Sequence, residues 1–250
     1  ATEFVSTLLM RIRSMLTDNR LGPVVAPDPS PELTEWITQL LGDGSEHESP
    51  VVIVDLSLVP SDIIHLVTAI LARVSFESTQ RYMRLHNGLQ LPTTLILEEA
   101  HRFIQRSRFE DEQEVNYTAV CRDVFERIAR EGRKFGFGLV LSSQRPSELS
   151  PTVLAQCNSF ILHRLVNDSD QELVGRMVPD NLGALLGELP NLPARQAVLI
   201  GLTTPLPLLV EINELGENDR PRSTNPPYWD VWTRQEERNV DWSAVVQDWI

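Results

Sequence analysis

Apolar and polar residues follow two different periods along this chain, and the switches between them divide it into elements. From Thr2 to Thr17, the side chains of Phe4, Leu8, Leu9, Ile12 and Leu16 share one helical face. The proline-rich stretch from Arg20 to Pro31 predicts a loop, and Pro31 is well placed to open a short helix carrying Leu33, Trp36, Ile37 and Leu40. A polar turn from Gly42 to Ser49 follows. The β-branched run Val51-Val52-Ile53-Val54, continuing to Asp55-Leu56, then predicts a central strand. Ser61 is placed to cap a long helix bearing Ile63, Ile64, Val67, Ile70, Leu71 and Val74, which runs on towards the stop signal Asn87-Gly88.

Leu95 to Glu99 reads as the next strand. A helix from about Glu112 to Glu131 carries Val115, Ala119, Val124, Phe125 and Ile128 on its inner face, with Gly132 as its C-terminal cap. Gly138–Gln144 and Ser159–Arg164 read as further strands, and strand–helix–strand alternation implies right-handed parallel crossovers. The expected fold is therefore α/β, a mostly parallel sheet flanked by helices. Two short helices (about Ser169–Val178 and Asn181–Leu186) lead to a hairpin, Gln196–Leu202 with Leu206–Ile212, at a sheet edge. Residues 1–214 are expected to form this core, and residues 215–250 a linker with a helical tail. In the tail Asp241 is placed to cap a helix with Trp242, Val245, Val246 and Trp249 on one face, just beyond Trp229 and Trp232. Four tryptophans seldom stay in water, so the tail is expected to dock on its own domain or on a neighbouring subunit.

Composition narrows the function classes. A net charge of −13 argues against a free DNA-binding surface on a lone chain, without excluding a local basic lining. Positive charge is almost wholly arginine, the residue of forked contacts to phosphate and carboxylate; the single lysine is Lys134. Cys121 and Cys157 sit in apolar contexts and no secretory signal is seen, which suits reduced core thiols of a cytoplasmic protein. No apolar run approaches the roughly 18 residues of a membrane span. The five histidines are scattered without the spacing of a metal site.

The chemistry concentrates in Thr94-Leu95-Ile96-Leu97-Glu98-Glu99-Ala100-His101, an apolar run that ends on two adjacent carboxylates. A buried parallel strand delivers such charge at its C-terminal edge, where open α/β sheets bind ligands. One acid can hold the Mg²⁺ of a nucleotide while the next polarises a water, the Walker B arrangement of P-loop ATPases. Two like charges ending a buried strand are expected to need a cation. The phosphate loop itself, Gly-x-x-x-x-Gly-Lys-Ser/Thr, is absent from these 250 residues. With Ala1 rather than Met at its start, the chain is expected to be the C-terminal part of a motor whose loop lies upstream. Asp55, at the end of its expected strand, suits a cap for the following turn better than an outer position around Mg²⁺.

Several segments fall in one order: Ile128-Ala129-Arg130-Glu131-Gly132-Arg133-Lys134-Phe135-Gly136, Leu141-Ser142-Ser143-Gln144-Arg145-Pro146, Leu154-Ala155-Gln156-Cys157-Asn158, Leu162-His163-Arg164-Leu165 and Asn167-Asp168-Ser169-Asp170-Gln171. With the Glu-Glu-Ala-His strand before them, they resemble the HerA-type hexameric DNA translocases of the FtsK–HerA superfamily, over roughly Val51 to Ile212. The resemblance implies a RecA-like P-loop NTPase core that binds ATP and Mg²⁺ and works as a homohexameric ring with double-stranded DNA in its pore. It makes Glu98 the Mg²⁺-side acid, Glu99 the general base and Gln144 the sensor of the γ-phosphate and the attacking water. Gln144 also reads simply as a loop amide after a strand. Arg133 is the first choice for the finger supplied to a neighbour's site, ahead of Arg130 and Arg164; the first two also suit the helix dipole, and Arg164 could act in cis or across the interface. Arg102, Arg106 and Arg108 either face the DNA backbone or answer the adjacent acidic run Phe109-Glu110-Asp111-Glu112. A NurA-type nuclease or a sirtuin-like effector is the implied partner, in DNA end processing or anti-phage defence. The chain on its own is expected to be inactive. The rival readings are a non-catalytic ring scaffold for an effector and a type IV secretion or conjugation ATPase.

Overall fold

A computed structural model of the chain describes residues 2–17, 32–42, 51–106, 116–177, 187–216, 228–233 and 240–247. It divides into two compact units, residues 1–210 and 211–250. The first is mixed α/β. Its helices are α1 (Thr2–Thr17), α2 (Leu33–Leu41) and the long α3 (Ser61–Leu85), which leads to strand β1 (Thr93–Leu97). After α4 (Tyr117–Glu131) comes β2 (Phe137–Leu141), then the single turn α5 (Pro151–Leu154), β3 (Ser159–Leu162), α6 (Asp168–Met177), β4 (Gln196–Gly201) and β5 (Leu208–Glu211).

β1 and β2 run parallel in register, Leu95 beside Leu139 and Leu97 beside Leu141. The helical connection through α4 is what a parallel crossover requires. α3 and α4 pack against each other and cover one face of this pair. Phe76 of α3 is the centre of that layer: its ring meets Phe135 at 5.7 Å and Phe137 at 5.5 Å, both edge-on, the arrangement that aromatic quadrupoles favour. Phe125, Ile128, Cys121 and Leu97 close around it. The other face is bare among the described residues: Ile96 is 62% exposed and Val140 48%.

α4 begins later than its apolar pattern suggests. Asn116, with extended backbone, accepts from the amides of Thr118 and Ala119 and so caps the helix at Tyr117 rather than near Glu112. At the other end Gly132 remains right-handed, and Gly136, at φ 73°, makes the left-handed turn into β2. Gly132 is required for another reason: a Cβ there would lie 2.5 Å from the Phe137 carbonyl oxygen.

Three expectations are corrected. Val51–Val54 form no strand and are exposed; β-propensity alone does not hold an extended run. β3 does not extend the parallel pair; it runs antiparallel to β4, Ser159 beside Gly201, in a sheet ordered β3-β4-β5. The link from β2 to β3 holds only a 3₁₀ turn and α5, too little helix for the usual crossover. Finally Ser61 is the first residue of α3, and its cap position is Pro60. The second predicted helix after β3 (181–186) and the loop from Arg20 to Pro31 lie outside the described residues.

The second unit contains α7 (Tyr228–Trp232) and α8 (Trp242–Gln247). Asp241 caps α8 by accepting from the Ser243 and Ala244 amides. Tyr228, Trp229 and Trp232 form an exposed aromatic cluster, and Trp242 is exposed as well. Trp249 is outside the described residues. Among the described residues no helix is long and apolar enough to cross a membrane.

Candidate active site

The C-terminal ends of β1 and β2 lie side by side, and their ladder continues past the strands. The Ser142 amide donates to Leu97 O at 3.0 Å, and the Ala100 amide donates to Ser142 O at 2.9 Å. Between those two bonds the chain turns sharply. Glu99 adopts a left-handed conformation, φ 50° and ψ 41°, which costs a residue with a Cβ about 1 kcal/mol or more. A 3₁₀ turn, Ala100–Arg102, follows, with Ala100, Phe103 and Ile104 buried in the main core. The His65 Nε2 contact with Arg102 O at 2.9 Å ties this turn to α3. Gln105 and Arg106 then run beside Glu148–Leu149.

The strained turn delivers Glu99 to Gln144, the residue emerging from β2. Gln144 Nε2 donates to Glu99 Oε1 at 2.8 Å; a carboxylate only accepts, so the amide nitrogen must face it. Glu99 Oε2 lies 3.3 Å from His101 Nδ1, which lies 3.3 Å from Ser143 Oγ. Ser143 Oγ in turn accepts from the Arg145 amide. Glu98 is exposed, and no described residue pairs with it. Glu98 is exposed and the Glu99 side chain half-exposed, so water carries away part of their repulsion. Among the described residues no three ligands cluster as a metal cage would need. Glu98 nonetheless fits the smaller role, since Mg²⁺ arriving on a nucleotide takes one or two carboxylates, phosphate oxygens and waters.

The arginines are distributed over both edges of the sheet. Arg133 sits in the 3₁₀ turn before β2, where the Thr93 amide donates to Gly136 O, so it marks the N-terminal edge. Glu99 and Gln144 are at the opposite edge, about 13 Å away along the strand at about 3.3 Å per residue. Arg130 is at the Arg133 end too, with Nη1 3.5 Å from Glu126 Oε2; Glu126 also accepts from the buried Ser150 hydroxyl. Arg133 has no ion-pair partner among the described residues. Arg164 is exposed beyond β3, and the Asp170 carboxylate, which accepts from the Ser147 amide, brings the start of α6 beside the turn that follows Gln144. Arg102 and Arg106 are exposed on the segment after Glu99; Arg108 lies outside the described residues. Asp55 accepts from the Ser57 amide at 2.8 Å, a turn cap, and that bond lowers its pKa. Burial pushes the Cys121 thiol up to about 12 and raises that of Cys157, so neither is a ready nucleophile.

Sequence reasoning paired Glu99 with Gln144 but missed His101 and Ser143 as parts of the same cluster. The signal was available: His101 is two residues beyond Glu99, and Ser143 precedes Gln144 at the adjoining strand end.

No protein-family model matches the chain. Among curated proteins it is 30% identical over 199 residues to the DNA double-strand break repair helicase HerA of Sulfolobus acidocaldarius, covering 79% of this chain and 38% of that protein. It is 37% identical over 130 residues to HerA of Pyrococcus furiosus (52% and 22%) and 42% identical over 128 residues to a probable helicase of Methanocaldococcus jannaschii (51% and 23%). The chain therefore spans well under half the length of the curated relatives it matches. A solved genome-packaging NTPase, B204 of Sulfolobus turreted icosahedral virus 2, aligns over 58% of this chain and 60% of its own with TM-score 0.42 and 17% identity, a likeness too slight to support anything further. Over the stretch it shares with these relatives, the chain is similar in sequence to the HerA helicases.

Proposed function

We propose that this chain supplies the water-activating edge of an ATP-driven motor that moves along DNA. The observation that carries the reading is Glu99, held in a strained left-handed turn at the end of β1, with its carboxylate bonded to Gln144 from the end of the parallel neighbour. Strain of this kind persists where surrounding structure enforces it, and it concentrates at functional sites. The HerA and helicase names of the relatives support the reaction class.

In the proposed reaction Glu99 accepts a proton from a water while the water oxygen bonds to the γ-phosphorus. The bond from phosphorus to the bridging oxygen breaks, and ADP departs with that electron pair. Gln144 orients the water and senses the γ-phosphate. Glu98 would hold Mg²⁺, which offsets charge on the β- and γ-phosphates. The cradle for the phosphates is not among these 250 residues, so the reading requires it from elsewhere in the protein. Arg133 completes the site of an adjacent subunit, with Arg130 and Arg164 in supporting places. Arg102, Arg106 and Arg108 meet the DNA backbone in the pore of a homohexamer. A nuclease of NurA type or a sirtuin-like effector, in the cytoplasm, receives the processed DNA or its signal. Residues 215–250 form the docking tail on this reading.

The test is Glu99→Gln in the whole protein, measuring ATP turnover and binding of a non-hydrolysable ATP analogue. Loss of a general base predicts a fall in kcat of about a hundredfold or more. Analogue binding should be retained. Turnover at the wild-type rate would overturn the proposal.

A further inference from the structure

We infer that His101 is a positioning residue for Glu99, one half of a two-point clamp whose other half is Gln144. The inference rests on the reading of Glu99 given above and extends it to a side chain with no part in that scheme. A glutamate has three rotatable side-chain bonds, and a single hydrogen bond leaves its carboxylate free to pivot. Here each oxygen has its own neighbour: Oε1 accepts from Gln144 Nε2 at 2.8 Å, and Oε2 faces His101 Nδ1 at 3.3 Å. The carboxylate plane is thereby set by two groups from two different strand ends, with lone pairs left over for a water.

The imidazole is the better anchored partner. The His101 side chain is 16% exposed against 42% for Glu99. Its turn is held by Ala100, buried in the core, by the Ile104 amide donating to Ala100 O, and by the His65 contact with Arg102 O. Its tautomer follows from its neighbours. If Nδ1 were the bare nitrogen, its lone pair would point at a carboxylate. A proton on Nδ1 faces both Glu99 Oε2 and Ser143 Oγ, and sharing one N–H between two oxygens is an ordinary arrangement. Ser143 keeps the imidazole from swinging, and its own oxygen is held by the Arg145 amide. His101 thus orients the base without touching the reacting atoms.

The experiment uses the whole protein and three variants, Glu99→Gln, His101→Ala and His101→Asn. Asparagine keeps an N–H close to the place of Nδ1. His101→Ala should lower kcat about ten- to a hundredfold, as loss of outer-shell partners does. KM and analogue affinity should stay within about twofold, because the group acts on the chemical step and not on ground-state binding. His101→Asn should recover most of the rate. A second readout needs no turnover: solid-state ¹⁵N spectra of histidine-labelled, nucleotide-free protein. The His101 signal, identified by its loss in His101→Asn, should show a protonated Nδ1 and should shift in Glu99→Gln. Wild-type turnover by His101→Ala beside an inactive Glu99→Gln overturns the clamp and leaves the base assignment standing. An active Glu99→Gln overturns both. A His101 protonated at Nε2, or a signal indifferent to Glu99→Gln, overturns the clamp even if the alanine variant fails to fold.

Discussion

A methyl group at position 132 would press into the Phe137 carbonyl oxygen at 2.5 Å, and that oxygen belongs to the first residue of β2. Backbone cannot yield there without shifting the strand that leads to Gln144. Gly132→Ala should therefore destabilise the protein by about 1–3 kcal/mol, the usual cost of overpacking, and thermal unfolding would measure it. The same residue also marks a limit of reading sequence. It caps the helix as expected, but in right-handed conformation at φ −53°, and its lack of a side chain serves a close approach between backbones, while Gly136 makes the left-handed turn. Glu99 shows the reverse. Its carboxylate and its strand end were legible in the apolar run before it, but its left-handed backbone was not, since nothing local favours that conformation in a glutamate. The bonds from Ser142 to Leu97 and from Ala100 to Ser142, contacts between distant parts of the chain, bracket it.

At the scale of elements, helices and the parallel pairing of β1 with β2 declared themselves, and the partner of β3 did not. α3 and α4 follow from a period that repeats over many residues, and the rings packed edge-on around Phe76 reward it. β3 and the run at Val51 carry the same β-branched chemistry as β1, but pairing is a property of two segments, and neither segment alone encodes the other. α3 also carries a testable electrostatic feature. Glu77 is bonded by Arg73 at 2.8 Å and by Arg81 at 3.0 Å, one turn on either side, and these bonds lower its pKa. A carboxylate depressed in the folded state contributes stability above its unfolded pKa, near 4.3, and loses it as pH falls through the folded value. Glu77→Gln should cost about 0.5–1 kcal/mol at neutral pH, for two exposed-arginine pairs of a few tenths each. Once the pH has fallen through the folded value, the variant and the parent should converge, with chemical denaturation at neutral and at acid pH as the check.

Across the whole molecule, the separation of Glu99 from Arg133 is the decisive feature. Arg133 stands at the sheet edge opposite Glu99 and Gln144, so on the proposed reading its service to a phosphate is rendered to another copy. Mixing assays follow from this. In a fixed pool of subunits, Arg133→Ala chains and Glu99→Gln chains are each expected to abolish turnover alone; mixed together, some interfaces would regain an intact Glu99 opposite an intact Arg133, and activity should partly return. Absence of any recovery, with mixed assemblies verified by mass spectrometry, would reject the interfacial arrangement. The isolated 250-residue chain should show no turnover at all.

β2, five residues paired along their length, joins those two edges: Arg133 lies in the turn before it and Gln144 just beyond its end. A strand so short, paired along its whole length, transmits a push rather than absorbing it. In a ring built as proposed, a shift of the glutamine towards a spent phosphate would be felt as a tug on the arginine at the far tip, and so by the next copy around. The order in which neighbouring sites fire would then be set by a rigid rod only about 13 Å long, with no separate messenger.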